Sequence, residues 1–454
     1  MQIPSVEEPP IGGVLKPRIP SKAVALQQPT WPDLAALAAV EARLSRAKPI
    51  VSPAEIDALT NSLAAASLGN AFVLQGGDCA ENFAEANATR VRNKLRTILQ
   101  MAVILMHGTS LPVVKIGRMA GQYAKPRSDE FETRDGVTLP VYRGDMVNGF
   151  EFTTESRTPN PQRLEQAYQI STATANVIKA FTEGGYANLR QVHAWNRGFM
   201  SNPTYARYEQ TASEIDRAIR FMAAAGAESE ALNTTEFYLS HEALILDYER
   251  ALTHLNPVNG RAYDTSGHLL WCGERTRQIE GAHIEFLTNI ANPVAVKLGP
   301  KTTGDDARKL ADKLNPTNQP GRLTFVVRMG ADKVRTNLPP VVKQIQDEGR
   351  SVTWMTDPMH GNTITSDNGF KTRLFADIVD EVRGFFEVHR AAGTVPGGLH
   401  MELTGDDVTE VMGGSGLIDE ATLEKRYETL VDPRLNHEQS LEIAFLISEM
   451  LQQN

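Results

Sequence analysis

Short β-branched and aliphatic runs recur along the chain, separated by longer amphipathic stretches. Val352–Thr356, VTWMT, reads as a buried strand. Asp357-Pro358 stops it, because proline cannot donate to a sheet ladder. Comparable runs stand at Ala71–Leu74, Leu111–Ile116, Leu269–Gly273, Pro293–Leu298, Leu323–Arg328, Leu399–Leu403 and, more weakly, Thr429–Val431. Helical periodicity lies between most of them, at Ala88–His107, Thr276–Ile290, Thr303–Leu314, Asn337–Asp347, Lys371–Ala391 and Asp419–Glu428. Eight short strands alternating with helices predict an α/β protein built as a (β/α)8 TIM barrel over 71–454, with a doubly wound open sheet as the alternative. Before it, residues 1–70 form an N-terminal extension. It has a Pro-rich arm, a helix from Leu34 to about Ala47, and a helix to Leu68 opened by the capping box Ser52-Pro53-Ala54-Glu55. Residues 117–265 hold no strong strand. Their three helical patterns, Pro161–Thr182, Thr204–Ala225 and Ser240–Leu255, predict a helical insertion after the second strand, at about 129–265.

Composition narrows the class. The 454 residues are 41% hydrophobic and 22% charged, enough to build a sizeable core. A net charge of −9 argues against nucleic acid and against a membrane surface as partners. No apolar run approaches the ~20 residues that span a bilayer. The N-terminus lacks a signal-peptide layout, and Cys79 and Cys272 are the two cysteines. Together these features predict a cytoplasmic protein without a disulfide framework.

In a barrel the C-terminal strand ends form one rim, so residues distant in sequence become neighbours there. Those ends carry Cys79; Arg118 with Lys125, Arg127 and Ser128; Glu274 and Arg275; Lys297; Arg328; His360; Glu402 with His400; and Asp432. Cys79, His360, Glu402 and Asp432 offer one soft, one intermediate and two hard donors. That set suits a divalent transition ion such as Mn²⁺, Fe²⁺, Co²⁺ or Zn²⁺, and suits Ca²⁺ or Mg²⁺ poorly. The bland alternative is a small buried thiol, a loop histidine and two solvated carboxylates. Arg118, Lys125, Arg127, Arg275, Lys297 and Arg328 form a dense cationic cluster in an acidic chain. Buried cations need anionic partners, and guanidinium forks match phosphate and carboxylate oxygens. Substrates with at least two anionic groups follow. Glu274 also reads as a structural ion-pair partner, and His241-Glu242 as ordinary helix surface.

Longer motifs carry a resemblance. They are QGGDCAENF (75–83), VKIGRMAGQYAKPRS (114–128), GERTR (273–277), FVVRMGADKVR (325–335), DPMHGNT (357–363), HMELTGDDVTE (400–410) and YETLVDPRLN (427–436). From about Trp31 to the C-terminus the chain resembles the class II 3-deoxy-D-arabino-heptulosonate 7-phosphate (DAHP) synthases, the first enzymes of the shikimate pathway. The resemblance implies metal ligation by Cys79, His360, Glu402 and Asp432. It implies a phosphoenolpyruvate site lined by Arg118, Glu274, Arg275, Lys297 and Arg328, with Lys125 and Ser128 near the phosphate of erythrose 4-phosphate. Arg118, Glu274 and Lys297 are expected to be catalytic. A metal-dependent hydrolase of a phosphorylated substrate is the competing enzyme reading. Chorismate mutase docking and aromatic amino acid feedback occur in the family, but no residue pattern here carries either.

Two expectations concern assembly and oxidation. The N-terminal helices and the insertion offer more apolar faces than the barrel needs, which predicts a homo-oligomer with the region before Ala71 at its contacts. Many relatives of this type carry cysteine immediately before the metal-binding aspartate, where this chain has Val431. That leaves Cys272, placed on the third strand and pointing into the barrel, as the partner within the chain for Cys79. Two strand spacings are roughly 9–10 Å, beyond disulfide reach.

Overall fold

The computed structural model describes residues 23–184, 189–200, 209–224 and 235–452. Most of the arm and the start of the helix expected at Thr204 lie outside them; the described part of that helix is Glu209–Ala224. Eight parallel strands close into a barrel in sequential order. They are β1 (Phe72–Gly77), β2 (Val113–Arg118), β3 (Tyr238–Glu242), β4 (Leu269–Cys272), β5 (Val294–Leu298), β6 (Leu323–Val327), β7 (Thr353–Thr356) and β8 (Gly398–Glu402). No helix among the described residues is long and apolar enough to cross a membrane.

Alternation of side chains divides the strands between two cores. Val73, Val114, Ile116, Tyr238, Leu269, Trp271, Ala295, Val326 and Met355 fill the barrel. Phe72, Leu74, Leu270, Cys272, Val296 and Phe325 face the surrounding helices. Helix α1 (Leu34–Leu44) buries Leu37, Val40 and Leu44. Helix α2 (Pro53–Ser67) begins with the expected capping box: Ser52 Oγ accepts from Glu55 N, and the Glu55 carboxylate accepts from Ser52 N. Its Leu59, Leu63 and Ala66 join the barrel's inner cluster, and Thr353 Oγ1 donates to the carbonyl of Leu63. So α2 closes the N-terminal end of the barrel, opposite the rim formed by the C-terminal strand ends.

Three expectations are corrected. The third strand is Tyr238–Glu242, inside a segment expected to be helical. Its sequence YLSHE is polar at alternate inward positions, which hides the strand from an apolar-run criterion. Thr429–Val431 is not a strand; Asp432 sits in a loop that touches the sheet through an isolated bridge between Leu403 and Leu435. The insertion is mixed rather than helical. It contains the antiparallel hairpin Phe131–Arg134 with Val137–Pro140 as well as the long helix Gln162–Glu183.

Candidate active site

The register brings three strand ends together: Gly77 pairs with Arg118 on one side and with Glu402 on the other. Gly77 has φ +149°, and a β-carbon there would stand 2.5 Å from the Arg118 carbonyl oxygen. Glycine is therefore required where the chain turns off β1 toward Cys79. The donor atoms of Cys79, His360, Glu402 and Asp432 all lie within 4.8 Å of one another. All but His360 are buried.

The surroundings fit a cation at this cluster. His360 Nδ1 stands 2.7 Å from Asp357 Oδ2, and its Nε2 is 3.0 Å from Glu402 Oε1. A carboxylate on Nδ1 fixes the imidazole so that Nε2 turns its lone pair toward the other donors, the arrangement that supports histidine ligands. Cys79 Sγ is 3.6 Å from Asp432 Oδ2, and the Lys125 ammonium contacts both. Burial, with Glu402 nearby, pushes the Cys79 thiol up to about 12. Burial also works against ionising Asp432 and Glu402. It is outweighed by Lys125 at Asp432 and by His360, Arg373 and Lys125 at Glu402, so both carboxyls stay well below the usual carboxylate range. Arg373 Nη2 lies 2.8 Å from Glu402 Oε2 but off the hydrogen-bonding direction, so that carboxylate oxygen has no geometric partner among the described residues.

Beside the donors is a cleft lined by Arg118, Lys125, Arg275, Lys297 and Arg328, together with Trp271, Glu242 and Glu274. Arg118 donates to the carbonyls of Asp78 and Cys79 and lies 5.2 Å from the centre of the Trp271 ring. Lys297 pairs with Asp357; burial brings its ammonium down to about 8. Arg328 donates to the His360 carbonyl at 2.8 Å, leaving its Nε without a partner among the described residues. Arg275 donates to Ser128 Oγ at 2.9 Å in an adjoining pocket that also holds Lys125, Arg127 and Lys371.

Glu274 lines the cleft with both oxygens committed. Arg277 donates to each of them, at 3.0 and 2.8 Å, and Gly299 N to one at 2.7 Å. The structural ion-pair alternative therefore fits its geometry, with Arg277 as the partner. Sequence reasoning missed Glu242, which is the end of β3 and not helix surface. Its Oε1 is buried without a partner among the described residues, and burial raises its carboxyl. The signal that could have found it is the spacing Tyr238, Ser240, Glu242, an inward-facing period of two.

The family model for the class-II DAHP synthetase family matches residues 17–448. The chain belongs to that family. Among curated relatives, the phospho-2-dehydro-3-deoxyheptonate aldolase of Streptomyces coelicolor is 56% identical over 427 residues, covering 94% of this chain and 95% of that one. Phospho-2-dehydro-3-deoxyheptonate aldolase AroG of Mycolicibacterium smegmatis is 51% identical over 451 residues, covering 98% and 96%. The solved phospho-2-dehydro-3-deoxyheptonate aldolase from Francisella tularensis aligns at 12% identity with a TM-score of 0.44, covering 92% of this chain and 96% of that one. Membership of the DAHP synthetase family leaves the hydrolase alternative without support.

The two cysteines lie farther apart in the barrel than expected. Cys272 ends the fourth strand, three strands from β1. Its side chain faces the outer layer, with Sγ 3.3 Å from Thr276 Oγ1. Peroxide treatment of metal-stripped protein should therefore give no Cys79–Cys272 disulfide; Cys79, buried and with its thiol raised, should oxidise only slowly from sulfenic to sulfinic acid, and more slowly still with metal bound. A Cys79–Cys272 linked peptide as the main product would contradict this geometry.

Proposed function

We infer that the protein is a DAHP synthase, condensing phosphoenolpyruvate with erythrose 4-phosphate and water to give DAHP and phosphate. The observation that carries this reading is the juxtaposition, within a class-II family member, of four converging donors and a cleft lined by five cations. Cys79, His360, Glu402 and Asp432 would hold a divalent transition ion, with Mn²⁺ the first to test and Co²⁺, Fe²⁺ or Zn²⁺ after it. A bound ion of this kind supplies Lewis-acid polarisation of a carbonyl oxygen.

The chain's own groups supply the rest. Arg118, Arg275, Lys297 and Arg328 hold the carboxylate and phosphate of phosphoenolpyruvate. Lys125 and Ser128 hold the phosphate of the aldehyde substrate. Two mutually repelling anions are thereby fixed with C3 of phosphoenolpyruvate facing the aldehyde carbon, a proximity effect. After that bond forms, water adds at C2 and phosphate leaves by C–O cleavage. In this reading Glu242 Oε1, which has no partner among the described residues, exchanges a proton with that water, while Glu274 braces the wall through Arg277.

Steady-state turnover with both substrates, on stripped and Mn²⁺-reloaded enzyme, tests the reading. Phosphate release from phosphoenolpyruvate alone, at the rate seen with both substrates, would overturn it. Arg328→Lys keeps the charge and loses the fork, so the KM for phosphoenolpyruvate should rise roughly tenfold or more. A rise confined to the KM for erythrose 4-phosphate would show that this arginine serves the other anion.

Assembly into a homo-oligomer remains part of the reading, but its support has moved. The apolar faces of α1 and α2 are spent within the chain, whereas Phe131 and Val137 on the hairpin are exposed. Light scattering at micromolar concentration checks it, and a monomer would end the idea.

A further inference from the structure

The loop that follows β2 is held by one carboxylate from the loop that follows β1. Glu81 Oε1 accepts from the backbone N–H groups of Gly121 (3.0 Å) and Gln122 (2.9 Å), and its Oε2 accepts from Ala120 N at 3.1 Å. Glu81 N in turn donates to the Gln122 carbonyl at 2.7 Å. Three consecutive N–H groups converging on an anion form an anion-binding concavity, here filled from within the chain. The conformation has a cost, because Ala120 sits at φ +61° in the left-handed region that residues with a β-carbon avoid. Glu81, Ala120 and Gln122 are all buried.

Two parts of the site depend on this turn. Gln122 Oε1 accepts from the backbone N–H of Glu242 at 2.9 Å, which ties the turn to the end of β3. Three residues further on is Lys125, whose ammonium reaches Cys79 and Asp432, and then Ser128 in the adjoining pocket. We propose that Glu81 is a positioning residue that holds the loop Ala120–Gln122 in its left-handed turn, and thereby sets Lys125 and Ser128 for the phosphate of the aldehyde substrate. The inference rests on the assignment of those two residues to that phosphate.

Glutamine at position 81 keeps one acceptor but turns an NH2 group against one of the backbone N–H donors. Glu81→Gln should raise the KM for erythrose 4-phosphate roughly tenfold or more, since hydrogen bonds to a charged group are lost. The KM for phosphoenolpyruvate should change less, because Arg275, Lys297 and Arg328 follow or stand on other strands and Arg118 is held independently by the carbonyls of Asp78 and Cys79. Adding Ala120→Gly should restore much of the lost affinity, because glycine adopts φ +61° without the β-carbon cost. Glu81→Asp, with the charge kept and the reach shortened, should be intermediate, and serves if the glutamine variant is not recovered folded. A purely structural role would lower Tm, raise both KM values together and show no rescue by Ala120→Gly; that pattern overturns the proposal. Lys125→Ala is measured alongside. If it raises the KM for erythrose 4-phosphate while Glu81→Gln does not, the positioning role is wrong. If Lys125→Ala itself leaves that KM unchanged, the assignment of the phosphate site is what fails. Mn²⁺ titration of stripped Glu81→Gln by calorimetry should show no weakening; weakened metal binding with an unchanged aldehyde KM would place Glu81's action at Cys79 and overturn the proposal.

Discussion

Cys79→Ser should bind Mn²⁺ at least roughly a hundredfold more weakly than the parent, the upper end of what changes to supporting residues alone produce. A hydroxyl is a poor replacement for a thiolate toward a transition ion. The rest of the cluster cannot compensate. His360 is held by Asp357, Asp432 is engaged by Lys125 and Lys371, and Glu402 lies between Arg118, Arg373 and His360. With the ion lost at working concentrations, kcat should fall with it and recover in part at high Mn²⁺. Calorimetric titration of the stripped variant measures the affinity directly. An unchanged Kd, with unchanged activity at limiting metal, would remove Cys79 from the ligand set.

The second large effect is on stability. Arg434 is buried between two carboxylates, donating to Asp78 Oδ1 at 2.8 Å and to both oxygens of Glu410, at 3.1 and 2.8 Å. The side chains of Asp78 and Glu410 are 4% and 0% exposed, so neither can turn to water if the guanidinium is removed. Lys94 partly shields Asp78 and does nothing for Glu410. Arg434→Met should therefore destabilise the fold by about 3–5 kcal/mol, the range for breaking one partner out of a buried ion pair. Urea unfolding followed by far-UV dichroism reads this as a lower midpoint. A midpoint close to the parent's would mean that Glu410 is neutralised by some other route.

Legibility in the sequence followed from how each element earns its burial. β4, β6 and β7 are apolar or β-branched runs with an abrupt polar stop, which an apolar-run criterion finds directly, while β5 and β8 carry Lys297, His400 and Glu402 but keep enough apolar neighbours in Val294–Val296, Leu399, Met401 and Leu403 to be found. β3 escapes it because Ser240 and Glu242 face the barrel interior near the rim. There Ser240 Oγ accepts from Gln75 and donates to the Gly117 carbonyl. The same polarity that hides the strand supplies Glu242, whose Oε1 has no partner among the described residues, so one misreading removed both an element and a candidate site residue. The expected strand at Thr429–Val431 had the opposite fault. Its β-branched residues serve a local turn, with Thr429 Oγ1 donating to the Asp432 carbonyl and accepting from Val431 N. The four candidate donors could be read because each follows a clear strand or lies in a long motif. Glu274 was placed at the rim correctly, but its commitment to Arg277 and Gly299 depends on backbone geometry that spacing does not carry.

The plug at the foot of the barrel has a consequence for synthesis of the chain. Helix α2 leaves the ribosome before any strand, yet its Leu59, Leu63 and Ala66 pack against residues as late as Met355. Next to it, a β-carbon on Gly397 would stand 3.6 Å from the Ala66 carbonyl oxygen. At roughly 5–20 residues per second, that apolar stripe waits on the order of tens of seconds for its last partners. Closing contacts of such long sequence separation makes barrel assembly slow compared with helix formation. During the wait α2 is a greasy helix with no seat, so a trigger-factor-like holdase that binds the nascent N-terminal segment should raise the yield of native enzyme more than one acting after release.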